Sequence, residues 1–184
     1  MPWPETDVQQ PGGEPVDAVS LLKVDLAAVD GVVAEYWDVS HADDLEARRH
    51  KDEVAIEVCR RTREYLALED AFVRAVEGAV ADAGLLREMQ AGQTKALELV
   101  EAIEQSDPRN NQRDSAVRVL GDFMLRHAQG ELEGVFKHVA ASRLNLFDLG
   151  EQLRRSRAEG TLSQGALPRR LPGAAAHDSA LPQG

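Results

Sequence analysis

Apolar residues recur at three- and four-residue steps in four stretches of the chain, the spacing of helices that each bury one face. The first two stretches span residues 17 to 40 and 43 to 78. The third follows the connection AVADAG and closes at SDPRNNQRDS, a segment rich in turn-forming residues. The fourth begins at residue 114 or 115. The predicted inward faces are Val19, Leu22, Leu26, Val29, Val33 and Tyr36 or Trp37; Leu45, Val54, Val58, Thr62, Tyr65, Glu69, Phe72 and Val76; Leu85, Met89, Gln93, Ala96, Val100 and Ile103; and Val117, Leu120, Met124, His127, Glu131 and Val135.

This pattern predicts an all-α fold, in which four helices joined by short turns pack up-down-up-down as a four-helix bundle. The predicted bundle covers residues 16–157. Residues 1–15 and 158–184 are rich in Pro, Gly or Ala without periodicity, and we expect them to be disordered. The segment LNLFDLGEQLRRSRAEG keeps a helical pattern, either as a continuation of the fourth helix or as a short fifth piece.

The net charge, the apolar stretches and the cysteine content limit which partners and locations are expected for this protein. The 184 residues carry a formal net charge of -11, which disfavours nucleic acid and anionic membranes as partners. No stretch is apolar enough to cross a bilayer, and the first residues lack the features of a secretory signal. A single cysteine, Cys59, fits a reducing compartment, so we expect a cytoplasmic protein.

Five polar residues fall on the predicted inward faces: Tyr65, Glu69, Gln93, His127 and Glu131. Two pairs among them are spaced i to i+4, so each pair projects from one side of its helix. Folding the helices up and down brings all five to one level of the bundle. Carboxylates that converge beside a histidine are how helical bundles bind iron, manganese or zinc.

The segments that carry these residues read VDLAAVDGVV, REYLALEDAFVRAV, AGQTKALELVEAI and RHAQGELEGVFKHV. With the flanking segments ADDLEARRHKDEVAIEV and LGEQLRRSRAEG, they resemble the hemerythrin (HHE) family over residues 17 to 157. The resemblance implies a four-helix bundle built around a di-iron site, with ligands from all four helices. His127, Glu131 and Phe136 match the motif of the family's fourth helix, and Glu69 matches the carboxylate of its second.

The other ligand positions depart from the family. Leu26, directly after Asp25, stands where the resemblance implies a histidine, as do Tyr65 and Gln93. Most imidazoles of a di-iron site are therefore lost, and we interpret the chain as a degenerate member. Whether Asp25 or Asp30 turns inward to join the polar cluster is left open.

Two functions follow from this pattern. The favoured one is a non-catalytic binding or structural module, with no cofactor, in which the polar residues form a hydrogen-bonded remnant of a lost metal site. The alternative is a protein that binds one iron ion through Glu69, His127 and Glu131, with Tyr65 and Gln93 beside them. Such a protein would sense or handle oxygen, peroxide or nitric oxide, as the family resemblance implies.

Two further features of the sequence, Cys59 and the tail, are weaker indications of function. Cys59 has Arg60 and Arg61 beside it, which would lower its thiol pKa if it were exposed; a lone helical cysteine is more commonly a packing residue. In the tail, Leu162, Gly165 and Leu167 resemble the short peptides by which cargo proteins dock inside encapsulin shells. The protein partner is otherwise unknown.

Overall fold

The computed structural model describes residues 16–39, 45–80, 82–107, 111–127 and 133–162. Within these ranges the chain forms six helices and no strand, which confirms the all-α prediction. The helices are α1 (Ala18–Val39), α2 (Leu45–Val76), α3 (Ala83–Gln105), α4 (Asn111–His127), α5 (Glu133–Ala140) and α6 (Leu146–Ala158).

Side-chain caps define where three of these helices begin. The Asp17 carboxylate accepts hydrogen bonds from the backbone N–H groups of Val19 and Ser20, each at 3.0 Å, at the start of α1. Asp82 caps α3, and Asn145 caps α6. Such caps satisfy N–H groups that have no partner inside the helix. The starts of α1, α2 and α3 lie within two residues of the positions that the sequence predicts.

The carboxyl-terminal third contains the predicted fourth helix and a separate helix after it. The predicted fourth helix corresponds to α4 and α5, which are separated by residues 128–132, outside the described part of the chain. The pattern beyond Val139 belongs to a separate helix, α6, because the chain leaves the helical conformation after Ala140 and Asn145 caps a new start.

The predicted inward faces supply most of the core. Val54, Val58, Phe72 and Val76 of α2 are all buried. Leu45 is the exception: it is 78 % exposed, so its assignment to the inward face was wrong. Nine residues separate Leu45 from Val54, and at 3.6 residues per turn this is about two and a half turns, which places Leu45 on the opposite side of α2.

The helices contact one another in a closed series. Helix α1 packs against α2 and α4, and α3 packs against α2 and α4. Helix α6 packs across α1 and α2 from outside this series. Its Gly150 lies directly on the start of α1, where an added Cβ would lie 2.2 Å from the Val16 carbonyl oxygen.

No helix in the described part of the chain combines the length and the apolar character needed to cross a membrane.

Candidate functional site

A group of four buried polar side chains lies in the core where α2, α3 and α4 meet. Helix α2 contributes Tyr65 and Glu69 from successive turns, α3 contributes Gln93, and the last residue of α4 contributes His127. Tyr65 and Glu69 are fully buried, and Gln93 and His127 are 8 % and 3 % exposed. We call these four residues the Glu69 cluster.

The Glu69 carboxylate is the centre of the cluster, and both of its oxygens are hydrogen-bonded. The Tyr65 hydroxyl donates to Oε1 at 3.0 Å, and the Gln93 amide donates to Oε2 at 3.0 Å. Nε2 of His127 lies 2.9 Å from Oε1. When Glu69 is ionised, Nε2 must carry the proton, since a carboxylate only accepts. The cluster then places three donors around one carboxylate.

Burial and the neighbouring carboxylate set the protonation of Tyr65. Removal of the phenol from water raises its pKa well above 10, and the charge of Glu69 and the hydrogen bond to Glu69 raise the pKa further. Tyr65 therefore stays protonated and remains a donor at neutral pH. One turn earlier on α2, the Thr62 hydroxyl is buried and makes no hydrogen bond to the described residues.

An aromatic side chain fixes the histidine ring. The rings of Phe123 and His127 stack with centroids 5.9 Å apart and planes 11° apart. Because Phe123 is one turn before His127 on α4, this contact holds the imidazole in the orientation that reaches Glu69. The ring orientation thus depends on α4 itself as well as on the hydrogen bond.

The remaining candidate ligands are placed differently. Glu131, one of the three predicted metal ligands, lies outside the described residues. Asp25 forms an ion pair with Arg157 of α6, with Oδ1 3.1 Å from Nη1. Asp30 lies on the exposed side of α1, and Leu26 is partly buried against the core.

The described residues do not fit a di-iron centre. No three His, Cys, Asp or Glu side chains in the described ranges are close enough together to hold a metal ion. Tyr65 donates to the carboxylate that would have to bridge or bind the metal, and Leu26 offers no ligand atom. The predicted set of Glu69, His127 and Glu131 stays a prediction, because Glu131 is not described.

Burial bears on two further expectations, those for Cys59 and for the tail. Cys59 is 3 % exposed, and desolvation raises the pKa of its thiol to about 11, so it is a packing residue and not a reactive thiol. Leu162 is 8 % exposed and packs on the core. The resemblance of the tail to a docking peptide, which also depends on Gly165 and Leu167, stays a prediction. Gly165 and Leu167 lie outside the described residues.

A second polar network was missed by the sequence reasoning. The buried Tyr36 hydroxyl donates to Asp114 of α4 at 2.6 Å, and Lys51 of α2 pairs with the same carboxylate at 2.8 Å. Arg113 pairs with Asp52 at 2.9 Å beside them. The signal was present in Tyr36 itself, because a buried tyrosine hydroxyl needs a partner.

Comparison of the chain with protein-family models, with curated proteins and with solved structures found no match. The resemblance to hemerythrin-like proteins therefore depends on the motifs of the sequence alone, and it stays a prediction.

Proposed function

We propose that this chain is a degenerate hemerythrin-like four-helix bundle that acts as a non-catalytic binding or structural module. The proposal has two parts, an up-down-up-down arrangement of α1 to α4 and a polar core that is closed by its own hydrogen bonds. Each part has separate support in the contacts between helices.

Contacts between α1 and α4 run in opposite directions along the two helices. Val33 meets α4 at Gly121, where an added Cβ would lie 2.8 Å from the valine Cγ1. Three residues later on α1, Tyr36 bonds Asp114, which is seven residues earlier on α4. This order supports an antiparallel α1/α4 pair.

Contacts between α2 and α3 also run in opposite directions along the two helices. The Cys59 thiol lies 3.9 Å from the carbonyl oxygen of Val100, and ten residues later Glu69 bonds Gln93, which precedes Val100. The order of contacts supports an antiparallel pair here as well.

Contacts between α2 and α4 run in the same direction along the two helices, unlike those of the other two pairs. Lys51 pairs with Asp114, and Glu69 contacts His127. A parallel pair of this kind is expected for the second and fourth helices of an up-down-up-down bundle, which run in the same direction.

The observation that carries the functional proposal is the state of the Glu69 carboxylate. A metal ligand must direct a lone pair of an oxygen at the ion, whereas Tyr65, Gln93 and His127 already direct donors at both oxygens of Glu69. A buried carboxylate with three hydrogen bonds needs no cation to offset its desolvation. The side chains that stand in the family's histidine positions thus serve as hydrogen-bond partners or as packing.

Metal analysis of the purified protein tests this proposal. The full chain, produced without a tag in iron-supplemented cells, is analysed for its metals and by absorption spectroscopy. We expect less than about a tenth of an equivalent of any metal, since Glu69 is already satisfied. Near-stoichiometric iron that is lost in a His127→Ala, Glu131→Ala double variant would overturn the proposal.

One observation favours the alternative, a site for a single iron ion. An oxygen of Glu69 and a nitrogen of His127 are 2.9 Å apart, a separation that two ligands of one metal can also have. Rotation of the Glu69 carboxyl group away from Tyr65 would free one oxygen. Tyr65→Phe, which removes one competing donor, distinguishes the two functions: it raises iron content only if the alternative is correct.

A further inference from the structure

An open groove follows the line where α1 and α4 meet, on the outer side of the molecule. Its apolar floor is formed by Val33, Ala34, Trp37 and Leu125, and its volume is about 460 Å³. Gly121 of α4 also lines the groove, and its lack of a side chain lets α4 approach Val33 closely there. Leu125 is 46 % exposed, so the apolar surface of this α1/α4 groove is accessible to another molecule.

Two carboxylates and one guanidinium line the α1/α4 groove. Asp30 of α1 and Asp122 of α4 both line it, and neither forms an ion pair or hydrogen bond with any other residue of the described part of the chain. Arg118 also lines the groove and lies over the Trp37 ring with its guanidinium 5.5 Å from the ring centroid. The groove therefore combines apolar contact area with two carboxylates and one guanidinium that lies over an aromatic ring.

We infer that the α1/α4 groove binds a segment of a partner protein that presents an apolar side chain next to arginine or lysine. The assignment rests on the proposed function, that of a module which binds another protein. Charge complementarity selects the chemistry: the groove has two carboxylates to one guanidinium, and within the described ranges neither Asp30 nor Asp122 forms an ion pair, so a partner cation would supply one. A second copy of this chain is a poorer occupant, since two molecules of net charge -11 repel each other.

The partner's apolar side chain lies on Val33, Ala34 and Leu125, and its cationic group reaches the two carboxylates. Although Asp30 is on the exposed side of α1, desolvation by its surroundings raises the pKa of its carboxyl group. A bound guanidinium would reverse this effect and lower the pKa. Binding is consequently weakened by salt, since the ion pairs lie at the surface.

Binding of a designed peptide to the full chain tests the inference. The probe is a fluorescently labelled peptide of Gly and Ser that contains one Leu flanked by two Arg, and its binding is followed by anisotropy. We expect binding that weakens about fivefold or more in the Asp30→Asn, Asp122→Asn double variant, the loss expected for two exposed ion pairs. Leu125→Ser should weaken it as well, and since Leu125 is half-exposed this variant keeps the fold.

The matched control is Glu88→Gln, Glu101→Gln, which removes the same charge from exposed positions of α3, a helix that does not line the groove. Equal weakening by this control would show non-specific attraction and overturn the inference, as would the absence of binding. Binding that appears only after removal of residues 163–184 would assign the groove to the chain itself. A dimer that the groove variants dissociate would assign it to a second copy. Both of these outcomes also overturn the inference.

Metal analysis of the same samples separates the two proposals. If the peptide fails to bind and metal stays below about a tenth of an equivalent, the groove assignment fails and the module remains. If iron is near-stoichiometric, the proposed function fails whatever the peptide does.

Discussion

At the scale of single residues, the Glu69 cluster shows why a buried polar group is both costly and persistent. One carboxylate accepts hydrogen bonds from three donors, so its loss removes one hydrogen bond each from Tyr65, Gln93 and His127. Removal of one member of a buried charged network is strongly destabilising, whereas replacement of the whole network by apolar residues is commonly neutral or favourable. The cluster therefore specifies how α2, α3 and α4 align more than it adds to stability.

We predict that Glu69→Ala lowers the free energy of unfolding by about 3–5 kcal/mol, because the Tyr65 hydroxyl, the Gln93 amide and Nε2 of His127 each lose their hydrogen bond to the buried carboxylate. The combined variant Tyr65→Phe, Glu69→Met, Gln93→Met, His127→Leu should be within about 1 kcal/mol of the natural chain, or more stable, since it removes the buried carboxylate together with the three side chains that donate to it. Urea unfolding followed by circular dichroism measures both. Glu104→Ala, which breaks the exposed pair with Arg63, is the control and should cost less than about 1 kcal/mol. If the combined variant loses as much as Glu69→Ala, hydrogen bonding within the cluster contributes net stability and our interpretation is wrong.

At the scale of helices, one glycine determines where α6 packs. A Cβ on Gly150 would lie 2.2 Å from the Val16 carbonyl oxygen and 2.9 Å from the Ala18 nitrogen. Both are backbone atoms, which cannot move aside as a flexible side chain can. Seven residues later, Arg157 pairs with Asp25, which is also about two turns further along α1. Helix α6 therefore lies alongside the first half of α1, held by close packing at one end and an ion pair at the other.

Gly150→Ala should lower the free energy of unfolding by about 1–3 kcal/mol, the usual cost of forcing extra atoms into a packed contact. Gly31→Ala is the matched control, since Gly31 is inside α1 and a Cβ there meets no atom within 4 Å. This control should stabilise the protein by about 0.5–1 kcal/mol, the gain of alanine over glycine in a helix. Thermal and urea unfolding of both variants provide the test. A stable Gly150→Ala variant would mean that α6 is not seated on the start of α1.

At the scale of the whole molecule, the sequence predicted what depends on local periodicity. The helices and most buried positions follow from the spacing of apolar residues, and the level at which Tyr65, Glu69, Gln93 and His127 meet follows from helix lengths. Individual side-chain pairs outside this cluster could not be predicted from local periodicity. The Asp25 and Arg157 pair joins residues 132 positions apart, and no local pattern marks either as the partner of the other.

Local sequence patterns were also insufficient to predict the burial of Leu162 and the separate start of α6. Leu162 looked like part of a targeting peptide because its neighbours in sequence are those of such a peptide, while its burial depends on the core that it contacts. From the sequence, the segment that forms α6 could be either a continuation of the fourth helix or a separate short helix. The capping residue Asn145 did not decide between them, since a cap residue in a helical pattern does not by itself end the preceding helix.

Burial of several acidic groups in their neutral form also sets how the whole molecule responds to pH. Desolvation raises the pKa of the Cys59 thiol from 9.0 to about 11, and it raises the pKa of the Tyr36 and Tyr65 hydroxyls above 10.0. In each case the unfolded chain releases the proton at lower pH than the folded chain. Between the two pKa values the folded state binds more protons, so stability falls as pH rises.

We therefore predict that the free energy of unfolding is at its plateau at neutral pH and declines from pH 9 upward, first through Cys59 and then through Tyr36 and Tyr65. Urea unfolding at a series of pH values from 7 to 11 measures the decline. Cys59→Ala is the informative variant: its cavity lowers stability at every pH, but the thiol no longer titrates, so the decline between about pH 9 and 11 becomes shallower. The tyrosines still titrate in that variant, so a decline through Tyr36 and Tyr65 should remain above pH 10. A variant curve parallel to the natural one across the whole range would show that the thiol ionises equally in both states, and that Cys59 is more exposed to water than its packing indicates.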